Sequence, residues 1–99
     1  MAKRRIIWSN RARIRLFEIL KYYAERNKSK TYSKKLYQRF TNKLSILFKQ
    51  PDIGITTEII DVRGLIIDDF ILFYENDHKN IVIHSIWDSK QNPDDLRIK

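Results

Sequence analysis

The sequence predicts an α+β fold of order βααβββ, with an αα-hairpin packed on a small, largely antiparallel sheet. Three observations predict it. Leu65 to Trp87 contains two β-rich runs, Leu65 to Tyr74 and Ile81 to Trp87, joined by the wholly polar ENDHKN of Glu75 to Asn80, the pattern of a β-hairpin. Upstream, two stretches repeat apolar residues at three- and four-residue spacing, the period of a helix buried along one face. Only Asn27 to Lys30 separates them, and so short a link folds two helices back as an antiparallel pair.

In chain order, Lys3 to Trp8 (KRRIIW) reads as a first strand with a basic start. Ser9 suits a helix N-cap, because its hydroxyl can accept from a first-turn amide that has no partner within the helix. The first helix, Asn10 to Asn27, places Ala12, Leu16, Ile19, Leu20, Tyr23 and Ala24 on one face and Arg11, Arg13, Arg15, Glu18, Glu25 and Arg26 on the other. Ser29 caps a second helix running to about Gln50, with Leu36, Phe40, Leu44 and Leu47 as its apolar stripe and Tyr37 and Phe48 beside it. Pro51 stops that helix by disfavouring helical geometry at the residue before it. Leu16, Leu20, Phe40, Leu44 and Leu47 are the expected contacts with the sheet.

Pro51 to Gly54 (PDIG) supplies turn chemistry, and Ile55 to Val62 then reads as a second strand ending at Arg63-Gly64. The run Leu65 to Tyr74 is apolar on both alternating sets, so as a strand it needs cover on both sides. The helices cover one. A chain terminus or a partner is expected on the other. After Trp87 the chain turns polar and Pro93 ends regular strand.

Ninety-nine residues, 42% hydrophobic and 32% charged with two Gly and two Pro, fit one globular domain, 1–99, with a modest core. There is no Cys, which excludes disulfides and thiolate metal sites and suits a reducing cytosol. Ile6 to Trp8 is too short for a signal peptide, and the apolar run Phe70 to Tyr74 is far below the ~20 residues of a membrane helix. A formal charge of +8 favours polyanionic partners: nucleic acid, ribosome or an acidic protein.

His78 and His84 lack metal-ligand spacing, so neither a metal nor a cofactor is expected; His84 on the last strand reads as a packed or rim residue. Asp68 and Asp69 point to opposite sides of a strand and cannot act together on one bond. A twist, bulge or salt bridge to the basic helices accounts for them better. Lys34, Lys35, Arg39 and Lys43 make one face of the second helix cationic, either as a solvated face or as a phosphate contact. Arg63 is the candidate of most interest, since a guanidinium there can hold a phosphate or stabilise charge on a phosphoryl oxygen. The competing reading pairs it with Asp61, Asp68 or Asp69.

The order and spacing of IIWSNRA, LFEILKYY, LSILFKQPDIG, VRGL and FILFYENDHKNIVIHSIWDSKQNP, from about Ile6 to Pro93, resemble the RelE/ParE superfamily of bacterial toxins. The resemblance implies a cytoplasmic, growth-arresting toxin held by a cognate acidic antitoxin, with Phe70, Leu72, Tyr74 and Trp87 as antitoxin contacts. Arg63 matches the family arginine, and Lys90 loosely matches the basic position beyond the last strand. Together they would be the catalytic cations of a RelE-like, metal-independent endoribonuclease acting on ribosome-bound messenger RNA. No Tyr follows Trp87, however, and the long αα-hairpin and PDIG turn look more like the ParE side, whose members poison DNA gyrase. On that reading Lys43, Lys49 and Arg63 contact the target. An inactive homologue serving as an interaction module is the third alternative.

Overall fold

The computed structural model describes residues 4–77 and 79–89. Seven elements follow in order: β1 (Arg5–Trp8), α1 (Asn10–Arg26), α2 (Thr31–Ile46), β2 (Ile55–Thr56), β3 (Val62–Ile67), β4 (Phe70–Asn76) and β5 (Asn80–Asp88). The strands form one sheet in the order β1-β5-β4-β3-β2, antiparallel throughout except for the parallel β1–β5 pair. The two helices pack on one face of that sheet, giving the expected α+β architecture.

Ser9 starts α1 as its chemistry predicts. Its Oγ accepts from the Ala12 amide at 3.1 Å and donates to the His84 carbonyl at 2.9 Å, so one hydroxyl caps the helix and ties it to β5. In the helical link Lys28 takes a left-handed φ of 51°, and Ser29 does not cap α2 as expected: the helix begins at Thr31 behind Lys30, which makes no side-chain cap bond, while Ser29 Oγ accepts from the Thr31 amide one position too early. Ser33, inside α2, donates to the Leu20 carbonyl at 2.7 Å and joins the two helices. At its far end α2 stops at Ile46, and Leu47, Phe48 and Lys49 each bond three residues back. The tightened turn reaches Pro51 without a clash.

Leu16, Phe40, Leu44 and Leu47 are buried as expected, and the partly buried Leu20 packs against the same core. From the sheet this core receives Leu65, Ile67, Phe70, Leu72, Tyr74, Ile81, Ile83 and Ile86. Phe40 and Phe70 meet edge to face with centroids 5.5 Å apart, the favoured arrangement of aromatic quadrupoles.

Two expected strands are corrected. The run Ile55 to Val62 is not one strand: it keeps Ile55–Thr56, residues 57–61 are irregular, and Val62 already begins β3. Thr57 Oγ1 accepts from the Ile59 amide and lies 3.1 and 2.9 Å from the Ile59 and Val62 carbonyls, while Asp61 adopts a φ of 69°. Side-chain bonds to local backbone thus compete with the ladder in a segment whose β-branched composition reads as strand. The apolar run from Leu65 is not one strand either: it divides at Asp68–Asp69 into a hairpin, with Ile67 opposite Phe70 and Asp68 at a φ of 52°. Asp tolerates the left-handed conformation that a two-residue turn requires. Arg63 and Gly64 consequently lie inside β3. The expected salt bridge to the basic helices is present, from Arg39 to Asp68 at 3.0 Å, and its exposed position limits its worth to at most about 1 kcal/mol.

Strand alternation puts Gly64, Ile66, Ile71, Phe73, Val82, Ser85 and Trp87 on the face away from the helices. Of these, Gly64, Phe73 and Ser85 are buried, Ile71, Val82 and Trp87 are half-buried, and Ile66 is exposed. A Cβ on Gly64 would lie 2.9 Å from Ile71 Cγ2, so the absent side chain is what lets Ile71 lie flat there. A bulge between Phe73 and Tyr74 leaves His84 without a Cα partner on β4.

Candidate functional site

Arg63 pairs with Tyr74 across β3 and β4, and both side chains lie on the helix-facing side at the end of the sheet beyond the helices. There they hold the turn that follows α2. The buried Tyr74 hydroxyl donates to the Pro51 carbonyl at 2.7 Å and accepts from the Gly54 amide at 3.0 Å. Arg63 Nη1 donates to the Gly54 carbonyl at 2.9 Å, and its Nε lies 3.7 Å from the exposed Asp52 carboxylate. Gly54 is demanded by this closeness: a Cβ would sit 2.7 Å from the Tyr74 hydroxyl. Burial pushes the Tyr74 hydroxyl above its ordinary pKa, an effect that Asp52 adds to and that the Gly54 amide and Arg63 oppose. Such a phenol keeps its proton and serves as a strap rather than a base.

Around Arg63 lies a cleft of about 210 Å³ lined by Asp52, Thr57, Ile59, Ile60, Asp61 and Asn76, among others. Arg63 is the only cation on its walls among the described residues. The histidine and carboxylate nearest to an acid–base pair, His84 and Glu75, bond at 3.1 Å. Glu75 alternates with Tyr74, so that pair is on the opposite side of the sheet from Arg63. The sequence places Arg63 against Asp61, Asp68 or Asp69; the structure gives it Asp52 and a backbone carbonyl, because β3 begins at Val62 and turns Arg63 towards the loop.

Lys43 and Lys49 are exposed at the C-terminal end of α2 and just beyond it, and neither lines the cleft. Lys90 lies outside the described residues, as does His78. The expectation that Phe70, Leu72 and Tyr74 meet a partner needs correcting in its premise: all three are buried in this chain's own core, Tyr74 reaching under the 51–54 turn. Trp87 lies half-buried on the sheet face away from the helices, and its indole Nε1 has no hydrogen-bond partner among the described residues.

A surface not anticipated from the sequence lies on the helices. Trp8, Leu16, Phe17, Leu20 and Tyr37 floor a groove of about 880 Å³, and Arg13, Lys21, Lys30 and Lys34 stand around it. Among the described residues no carboxylate lines it. Phe17 is 69% exposed, and its signal in the sequence is an aromatic residue off the apolar stripe of its helix. Among the described residues no group of three or more His, Asp or Glu is placed to hold a metal, and no helix is long and apolar enough to cross a membrane.

Residues 6–93 match the family described as the ParE toxin of the type II toxin–antitoxin system, parDE. A solved structure described as the chromosomal ParDE TA system from P. aeruginosa has the same fold: it superposes with a TM-score of 0.73 over 87% of this chain and 96% of that one, at 20% identity. No curated protein matches the sequence. The family match across nearly the whole length, on a fold of αα-hairpin and largely antiparallel sheet, means that this chain belongs to the ParE toxin family within the RelE/ParE superfamily its motifs resemble.

Proposed function

We propose that residues 1–99 act in the cytoplasm as one toxin domain that arrests growth by binding its target, DNA gyrase, without cleaving RNA. The observation that carries this is the occupation of Arg63. Metal-free cleavage of RNA needs a group to activate the ribose 2′-hydroxyl, one to protonate the leaving oxygen, and cations on the developing phosphorane charge. Arg63 instead spends Nη1 on Gly54, the adjacent tyrosine is a protonated strap, and the His84–Glu75 pair is across the sheet. Arg63 therefore serves target binding by shaping the 51–61 loop, with the exposed Lys43 and Lys49 as further target contacts.

Neutralisation follows from the groove on α1 and α2. Its apolar floor and four cations fit an amphipathic helix with acidic flanks, the chemistry expected of a cognate antitoxin. Half-buried Trp87 and exposed Ile66, on the sheet face away from the helices, offer the antitoxin a second contact.

Purified protein added to gyrase with supercoiled DNA, and separately to translating ribosomes, tests the target. Supercoiling inhibition that weakens in Arg63→Ala, with messenger RNA intact, is the expected result. Codon-positioned cleavage that vanishes in Arg63→Ala, with gyrase unaffected, would overturn it in favour of an mRNA interferase.

A further inference from the structure

Charge is sharply divided along this chain. Residues 1–50 hold fifteen Lys and Arg against two Glu, whereas residues 51–62 (PDIGITTEIIDV) hold Asp52, Glu58 and Asp61 and no cation at all. The same short segment exposes four isoleucines, Ile53, Ile55, Ile59 and Ile60, the last of them 84% accessible. Ile59 and Ile60 line one cleft together with Asp52 and Asp61, and exposed apolar side chains set beside acids mark a docking surface.

The segment is also held rigid. The Tyr74 hydroxyl and Arg63 fasten Pro51 and Gly54, and Thr57 Oγ1 fastens the turn at Ile59 and Val62. Such preorganisation lowers the entropy lost on binding.

We propose that the occupant of the basic groove in the absence of other partners is this loop from a second copy of the chain. The two surfaces are complementary in both respects that matter: Ile59 and Ile60 beside Asp52 and Asp61 on one, and an apolar floor of Phe17, Leu20 and Tyr37 with Arg13, Lys21 and Lys34 around it on the other. They cannot meet within one molecule. The groove includes Trp8 at the β1 edge of the sheet, while the loop flanks β2, the opposite edge. Two different patches joined in this way make a head-to-tail contact, which extends into chains unless the rotation closes a ring. The association requires no antitoxin, so it stands or falls separately from the neutralisation proposed above.

Sedimentation velocity of the full-length chain, at rising concentration and at low and high salt, tests this. The unmutated protein associates as concentration rises and dissociates with salt, because the contact is partly electrostatic. Ile60→Glu spoils the loop and Lys34→Glu spoils the groove; both positions are exposed, and far-UV circular dichroism verifies that each variant is folded. Each variant alone is a monomer, whereas an equimolar mixture forms one dimer and nothing larger, since one variant keeps an intact groove and the other an intact loop. A monomeric wild type at every concentration would overturn the proposal, as would a mixture that stays monomeric or association unaltered in both variants.

Discussion

Replacing Tyr74 by Phe removes a single oxygen, and the structure gives that oxygen two partners. It donates to the Pro51 carbonyl at 2.7 Å and accepts from the Gly54 amide at 3.0 Å, from a side chain with no solvent exposure. Gly54 is buried, so in the variant its N–H loses the acceptor it has among the described residues where water cannot replace it, a cost of about 1–3 kcal/mol. The Pro51 carbonyl is half-buried, and the net loss of its bond adds about 0.5–1.5 kcal/mol. The sum, roughly 1.5–4.5 kcal/mol, is a large part of the 5–15 kcal/mol by which a domain is typically stable. For a domain of this size each kcal/mol is worth about 4–8 °C, so the melting midpoint should fall by about 6 °C or more. Urea denaturation gives the free energy, with an unchanged m-value indicating that the same surface unfolds. Amide exchange should quicken first at Gly54 and Ile55. A stability loss below about 0.5 kcal/mol, within the range of ordinary surface substitutions, would refute the reasoning that this hydroxyl straps the loop.

The same hydroxyl gives a pH dependence. Because burial raises its pKa in the folded state, the stability it contributes is complete below the unfolded value of about 10 and is lost as pH rises through the folded value. Urea midpoints measured across that alkaline range should decline less steeply in Tyr74→Phe than in the unmutated chain. Gly54→Ala forces a Cβ to within 2.7 Å of the Tyr74 ring and hydroxyl and 2.9 Å of the Gly64 carbonyl, and thermal melting should register overpacking of about 1–3 kcal/mol. Ser9→Ala removes both the cap on Ala12 and the bond to His84, and urea denaturation should show a loss of about 1–2 kcal/mol, with little effect from Ser9→Asp on the capping part.

The helical half of this fold was almost fully legible. Ser9 as a cap, the 3.6-residue stripes through Leu16 and Phe40, and the stop before Pro51 are local effects, decided by residues a turn apart. Strand boundaries were less so. Ile, Val and Thr make Ile55 to Val62 look extended, and nothing in composition shows that Thr57 Oγ1 will bond to its own backbone.

What the sequence alone determined is therefore the layer architecture, the family, and Arg63 as the side chain worth following, because period, order and motif spacing are one-dimensional properties. The tertiary structure decided what Arg63 touches and which apolar residues remain accessible. Phe70, Leu72 and Tyr74 read as spare apolar surface only while Leu65 to Tyr74 is taken for one strand. Once the chain reverses at Asp68, those three face the helices and fill the core, while Phe17, Ile60 and Ile66 are left in solvent. Pairing across the sheet, not composition, sets which side of a strand is covered, and a two-residue turn is enough to change it.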